Sequence, residues 1–202
     1  MLRRMLLATC LPLVKLICRL AFDRRFLRGR HFEQSNAGWY WAWRGLWWQK
    51  LLGFNRHVPW PVTPLARVLE PDGIEFDPDD INNFQSHGCY FSNARGGRIV
   101  IGKGTYIAPN VGIITTNHDP RDPDRHLPPR DVVIGEQCWI GMNAVILPGV
   151  VLGDRTVVAA GSVVGRSFRR GNVVLVGVPA RVSMSIPETE AAEPTPSGER
   201  DA

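Results

Sequence analysis

Six aliphatic residues recur at steps of six along the chain: Ile134, Ile140, Ile146, Leu152, Val158 and Val164. A period of six fits neither a helix face, at about 3.6, nor the alternation of a simple strand, at about two, so it calls for a repeating coil. Each hexad then supplies a short strand and a sharp corner, and three hexads close one turn of a triangular prism. The aliphatic residues point inward and stack one turn apart, Ile134 under Leu152, Ile140 under Val158 and Ile146 under Val164. Gly135, Gly141, Gly153, Ala159 and Gly165 follow these residues, and a small or missing Cβ at that point is expected to let the backbone turn. Cys138, Ala144, Val150, Thr156 and Ser162 are compact because the interior is narrow. An upstream run, Ile101-Gly102, Ile107-Ala108 and Ile113-Ile114, keeps the same step before an irregular stretch. The competing reading, a sandwich of valine-rich strands, leaves the hexad register unexplained.

The motifs around these hexads are Gly53-Phe54-Asn55-Arg56, Pro59-Trp60-Pro61-Val62, Ile107-Ala108-Pro109-Asn110-Val111, Asn117-His118-Asp119, Trp139-Ile140-Gly141 with Asn143, Leu147-Pro148-Gly149-Val150, Ala160-Gly161-Ser162-Val163-Val164 and Gly177-Val178-Pro179-Ala180-Arg181. In these residues, over roughly 55 to 183, the chain resembles the hexapeptide-repeat acyltransferases, and most of all their colanic-acid and exopolysaccharide O-acetyltransferase branch. The resemblance implies an all-β fold, a left-handed parallel β-helix, carrying here a helical N-terminal extension. Its handedness is opposite to the usual rule for parallel crossovers and is implied by the family alone. Three regions are expected: a basic, tryptophan-rich extension over 1–57, the β-helix over 58–183 and a disordered tail over 184–202.

Charge is unevenly spread. Residues 1 to 57 hold eleven Lys and Arg against Asp23 and Glu33, and the remainder holds thirteen against seventeen acids, so the net +5 is made at the N-terminus. The coil lacks a basic face with interleaved aromatics, so nucleic acid is not an expected partner. Cysteines 10, 18, 89 and 138 have neither metal nor disulfide spacing, and reduced thiols suit a cytoplasmic protein. The apolar run between Met5 and Val14 is too short to span a bilayer, and Pro12 and the lack of a small-residue cleavage site argue against a signal peptide. Leu13, Leu16, Ile17 and Leu20 fall on one helical face with Lys15, Arg19, Arg24, Arg25 and Arg28 around it, and tryptophans 39, 41, 43, 47 and 48 follow. Two uses stay open for this stretch. It suits peripheral contact with the inner face of a membrane through residues 1–50, and it suits a cap on the open end of the prism. The tail, rich in Glu, Pro, Ser and Thr, is expected to carry no chemistry.

Chemistry is expected where the hexads stop, at His118, before the Pro-, Asp- and Arg-rich loop from Asp119 to Val132. The resemblance makes His118 the general base of acyl transfer from acetyl-CoA to a hydroxyl. An ordinary imidazole, with a pKa of about 6.5, is largely neutral at pH 7 and can take the proton as the new bond forms. Asn117 or Asp119 would orient the ring, with a main-chain carbonyl as the alternative, and the amide of Met142 would meet the oxyanion. The resemblance further implies that Trp139, Gly141, Met142, Ala159, Ala160 and Gly161 border the pantetheine arm, that Arg166 and Arg181 meet phosphate, and that the groove lies between prisms of a homotrimer. It also implies direct transfer in a ternary complex, with no metal. Tyr90, Ser92 and Asn93 are candidates for the acceptor side, although Asn82 to Arg98 keep no clean hexad register. The acceptor expected from the resemblance is a sugar or exopolysaccharide precursor, with xenobiotic and amino-sugar N-acetylation as alternatives. Two rivals use the same prism: a non-catalytic trimeric scaffold, and a zinc hydratase of the γ-carbonic anhydrase type, which would need His87, His118 and His126 to converge.

Overall fold

The computed structural model describes residues 2–187, with side chains from residue 11 onward. The hexads form three parallel sheets, one per face of a triangular prism. One face carries Arg67–Val68, Tyr90–Ser92, Gly112–Ile114, Val145–Ile146 and Val163–Val164; a second carries Ile74–Phe76, Ile99–Ile101, Val132–Ile134 and Val151–Leu152. The third carries Tyr106–Ile107, Trp139–Ile140, Val157–Val158 and Val173–Val176, closed by the antiparallel strand Arg181–Ser185. The expected columns are present in register: Ile134 with Leu152, Ile140 with Val158 and Ile146 with Val164. They continue across the interruption, where Ile101, Ile107 and Ile113 pair with Ile134, Ile140 and Ile146. These side chains are buried, and each fully buried aliphatic group contributes about 1.5–3 kcal/mol.

The glycines after the columns serve a different purpose from the one expected. The left-handed corner residues come two positions later, at Gln137, Asn143, Gly149, Arg155 and Gly161, all with positive φ. Gly141 has an ordinary φ, but a Cβ there would lie 2.7 Å from Ala160 N and from Val158 O of the next coil. Closeness of successive coils, rather than turn conformation, excludes a side chain.

The N-terminal extension is helical and packs on the end of the prism. It comprises α1 (Leu2–Ala21), α2 (Arg30–Glu33), α3 (Ala37–Gly45) and a π-helical turn, Leu46–Leu51. Cys18 of α1, Phe22 just after it, Phe32 of α2, and Trp39 and Ala42 of α3 join the same core as the aliphatic columns. Gln49, buried completely, donates to the carbonyls of Asn55, Val58 and Trp60 and accepts from Val62 N, so one side chain satisfies the chain as it enters the coil. Beneath it an aromatic plug fills the first turn, with Trp60 at 5.0 Å from Phe26, Phe76 and Phe84, and Phe84 at 4.9 Å from Phe91. This plug explains the lost register of residues 82–98: Phe91 occupies the column position below Ile113, and the 3-10 segment Pro78–Gln85 brings Phe84 inward. Arg30 ties the cap to the prism, donating to Asp79 and pairing with the buried Asp80 at 3.1 Å.

At the other end the expected boundary at residue 183 moves. The last strand runs to Ser185, and Ile186 N donates to Asn172 O, so the edge strand has a pairing partner that the composition of the tail did not announce. Residues 188–202 of that tail lie outside the described residues.

Ile140→Asp is expected to abolish folding, because an unpaired carboxylate would stand in a dry aliphatic column. A soluble variant with a cooperative melting transition would contradict this assignment of the columns.

Candidate active site

The irregular segment after Thr116 is a β-hairpin, His118–Asp119 paired with Asp122–His126. It stands on an edge of the prism, between the face of Gly112–Ile114 and that of Val132–Ile134. Its stem is tied to the coil: Leu127 N donates to Asn117 O, Thr116 Oγ1 to Leu127 O and Arg130 N to Thr115 O. Asp119 is buried, accepts from Arg121 N at 2.9 Å and pairs with Arg125. The Arg121 backbone N–H and then Arg125 hold its carboxyl below the usual range. Asp119 therefore shapes the hairpin, and its two oxygens are engaged there rather than on the His118 ring. Asn117 is exposed beside it.

The His118 ring is held by the carbonyl of Pro123, the main-chain alternative left open above. A carbonyl can only accept, so Nδ1 carries the proton, and in the neutral ring the lone pair is left on Nε2, which has no hydrogen-bond partner among the described residues. The His126 ring packs against that of His118 at a tilt of 42°, with ring centroids 4.1 Å apart, and Arg95 approaches its Nδ1 at 3.4 Å. Loss of solvation, followed by the charges of Arg95 and His118, lowers the pKa of His126. His126 was weighed in the sequence only as a metal ligand eight residues from His118; the signal for its true position was the hairpin pairing. His87 lies in a turn where its carbonyl accepts from Asn110 N, and among the described residues no group of three or more His, Cys, Asp or Glu is arranged to hold a metal.

The residues expected to border the cofactor lie on another edge of the same prism, between the faces of Trp139–Ile140 and Val145–Ile146. Trp139 and Met142 are exposed by 57% and 47%, Gly141 is buried, and Ala160 and Gly161 are exposed directly beside them. Met142 O accepts from Gly161 N, while the N–H groups of Met142 and Ala160 have no hydrogen-bond partner among the described residues. Ala159, in contrast, is spent on Leu175 O. Arg166 stands on the edge of His118, its guanidinium over the Phe168 ring at 5.1 Å, and Arg181 is exposed on the last strand. One chain thus divides the expected site between two edges.

Of the acceptor-side candidates, Tyr90 projects outward from its strand. Ser92 is buried, and its carbonyl accepts from Thr115. Asn93 is fully buried and both ends of its amide are bonded to the backbone of Glu70. The Asn93 amide is therefore committed to the backbone of Glu70, and Ser92 is withdrawn from an acceptor by burial. Cys138 is buried with its thiol pushed up by burial, the state of a core residue and not of a nucleophile.

Residues 131–166 match the family model described as bacterial transferase hexapeptide (six repeats). The chain is 40% identical over 91 residues to the galactoside O-acetyltransferase of Escherichia coli (strain K12), covering 44% of each protein. It is 38% identical over 94 residues to the "Putative colanic acid biosynthesis acetyltransferase WcaF" of the same strain, covering 46% of this chain and 51% of that protein. Among solved structures, a maltose O-acetyltransferase from Clostridium difficile 630 is 38% identical over 50% of this chain and 54% of its own, with a TM-score of 0.45. The chain spans about half the length of these relatives.

Asp119→Asn is expected to loosen the hairpin while leaving the coil intact: faster amide exchange at Arg121 and quicker tryptic cleavage at Arg121 and Arg125, with nearly unchanged Tm. Acid should act alike. A carboxyl with a depressed folded pKa stabilises only above its unfolded value, about 4, and that support is lost as pH falls through the folded value. Exchange at Arg121 that is insensitive both to the substitution and to acid would exclude this role.

Proposed function

We propose that this chain, which belongs to the hexapeptide-repeat transferases and is built on their left-handed parallel β-helix, is an acetyl-CoA-dependent O-acetyltransferase acting on a hydroxyl of a sugar or exopolysaccharide precursor. The observation that carries the reading is the state of His118: on an exposed hairpin at an edge of the prism, Nδ1 is occupied by the Pro123 carbonyl, and Nε2 has no hydrogen-bond partner among the described residues. An alcohol is a poor nucleophile until its proton has somewhere to go, and an imidazole fixed in this tautomer is placed to take it.

In the proposed reaction, Nε2 of His118 accepts the acceptor's hydroxyl proton as its oxygen bonds to the thioester carbonyl carbon. Negative charge gathers on the carbonyl oxygen and is met by the free N–H of Met142. The tetrahedral species collapses by breaking the carbon–sulfur bond, and the departing thiolate takes the proton back from the imidazolium, giving free coenzyme A and the acetyl ester. Trp139, Gly141, Ala160 and Gly161 line the pantetheine arm, and Arg166 and Arg181 meet its phosphates. Because Met142 and His118 occupy different edges, the working site is shared between copies of a homotrimer, each lending one edge. The names of the galactoside and colanic-acid relatives support a glycan acceptor, with Tyr90 on the acceptor side. Peripheral contact with a membrane through residues 1–50, at its cytoplasmic face, completes the reading; among the described residues no helix is long and apolar enough to cross a bilayer.

The reading is tested by acetyl transfer to a panel of glycans, amino sugars and xenobiotic alcohols, followed by free-thiol release. His118→Ala is expected to keep the fold and the oligomeric state while lowering kcat about a hundredfold or more. Wild-type turnover in that variant would remove His118 from the mechanism, and absence of thiol release with every acceptor would favour a non-catalytic scaffold.

A further inference from the structure

Over residues 11–21, the face of α1 that points away from the protein is apolar. Leu13, Leu16, Ile17 and Leu20 are exposed by 59, 51, 40 and 75%, while the opposite face, with Val14, Cys18 and Phe22, packs into the core. A groove of about 400 Å3 between α1 and α3, lined by Leu11, Val14, Trp39, Tyr40 and Trp43, continues this apolar surface inward. Trp43 meets Trp47 edge to face, and Trp47, Trp48, Leu51 and Leu52 are exposed beyond it. A patch of this extent on one end of a molecule marks a surface that some partner covers.

The surrounding charges select the partner. Lys15 and Arg19 lie over the Trp39 ring at 5.1 and 5.3 Å, and Arg44 lies over Tyr40 at 5.6 Å. Arg24 and Arg28 are exposed just past the end of α1. A second copy of this chain would bring cation against cation around the contact, whereas an anionic bilayer offers acyl chains for the leucines and phosphates for the fringe.

We infer that α1 lies flat in the interface of an anionic phospholipid bilayer, with Leu13, Leu16, Ile17 and Leu20 among the acyl chains and the surrounding cations on lipid phosphates. This deepens the peripheral membrane contact proposed above, and it stands or falls separately from acyl transfer. The prism would then stand on the membrane by its capped end, and hydroxyls of glycans held near that surface become the accessible acceptors.

The test uses the full chain, because removing residues 1–50 would uncover the aromatic plug. Flotation with phosphatidylcholine vesicles, with and without phosphatidylglycerol, is run beside light scattering on a sizing column. Binding to the anionic vesicles alone, weakened several-fold in roughly 0.5 M salt, is expected. The exposed double substitution Leu16→Gln/Leu20→Gln should lower partition about tenfold or more with unchanged Tm and unchanged transfer to a soluble acceptor, and Arg24→Gln/Arg28→Gln should lower it several-fold. Quenching of tryptophan fluorescence by brominated lipid in the wild type would support the pose. Failure to bind anionic vesicles at low salt overturns the inference, as does equal binding to neutral ones. An oligomer that dissociates when Leu16 and Leu20 are replaced would assign the face to a second copy instead.

Discussion

Everything in this molecule follows from how closely one turn of the prism lies on the next. Backbone hydrogen bonds between successive coils fix their spacing, and at Gly135, Gly141 and Gly153 that spacing leaves no room for a Cβ: at Gly141 one would sit 2.7 Å from the backbone of the coil above. Inside, the same spacing sets aliphatic side chains in unbroken columns, such as Ile107, Ile140, Val158 and Leu175. Interiors packed this way yield little to strain. Variation is therefore pushed outward, to the edges where loops leave and to the two ends where the columns stop.

The ends are where a solenoid must spend its aromatic residues. An open prism exposes its columns to water, and the described N-terminus closes one end with rings that are larger than any hexad accommodates, from Phe26 through Trp60 to Phe84 and Phe91. Gln49 lets the incoming chain be buried without stranding its carbonyls. With Trp39, Phe22 and Cys18 spent on this cap, the outer face of α1 remains apolar with no internal use. Capping and the proposed membrane contact would thus draw on opposite faces of the same helix and not compete for residues.

The columns were legible because sterics impose them directly on residue type: a narrow interior admits an aliphatic group at one position in six and compact groups four places on. The glycines were legible as positions but not as causes, since Gly141 answers to a neighbour nineteen residues ahead, Ala160, and not to its own φ. Residues 82–98 looked irregular because Phe91 fills a column by size where the spacing has slipped. At the site, His118 was visible at the break in the repeat. Its partner was not, because the group that fixes the ring is the carbonyl of Pro123, and a carbonyl leaves no trace in side-chain identity. His126 was hidden for a related reason: a segment rich in Pro, Asp and Arg reads as loop, and only the hairpin register sets His126 opposite His118. Ser92 and Asn93 show the converse, polar residues that look available in sequence: Ser92 is buried, and the Asn93 amide is consumed by the backbone of Glu70.

Rigidity also bears on how the proposed reaction can be assembled. His118 and the Met142 N–H, unpaired among the described residues, belong to different edges of one cross-section, and a face of hydrogen-bonded strands lies between them. No bending of so tightly stacked a coil carries one edge to the other. A mechanism that needs both groups at a single carbonyl must therefore take them from two molecules, edge to edge, and a threefold arrangement gives every edge of His118 an edge of Met142. On that reading the prism's stiffness has a catalytic consequence: the distance between base and oxyanion donor is set by how two rigid bodies dock, and the hairpin held by Asp119 and Arg125 is the part of each protomer left to adapt to the acceptor.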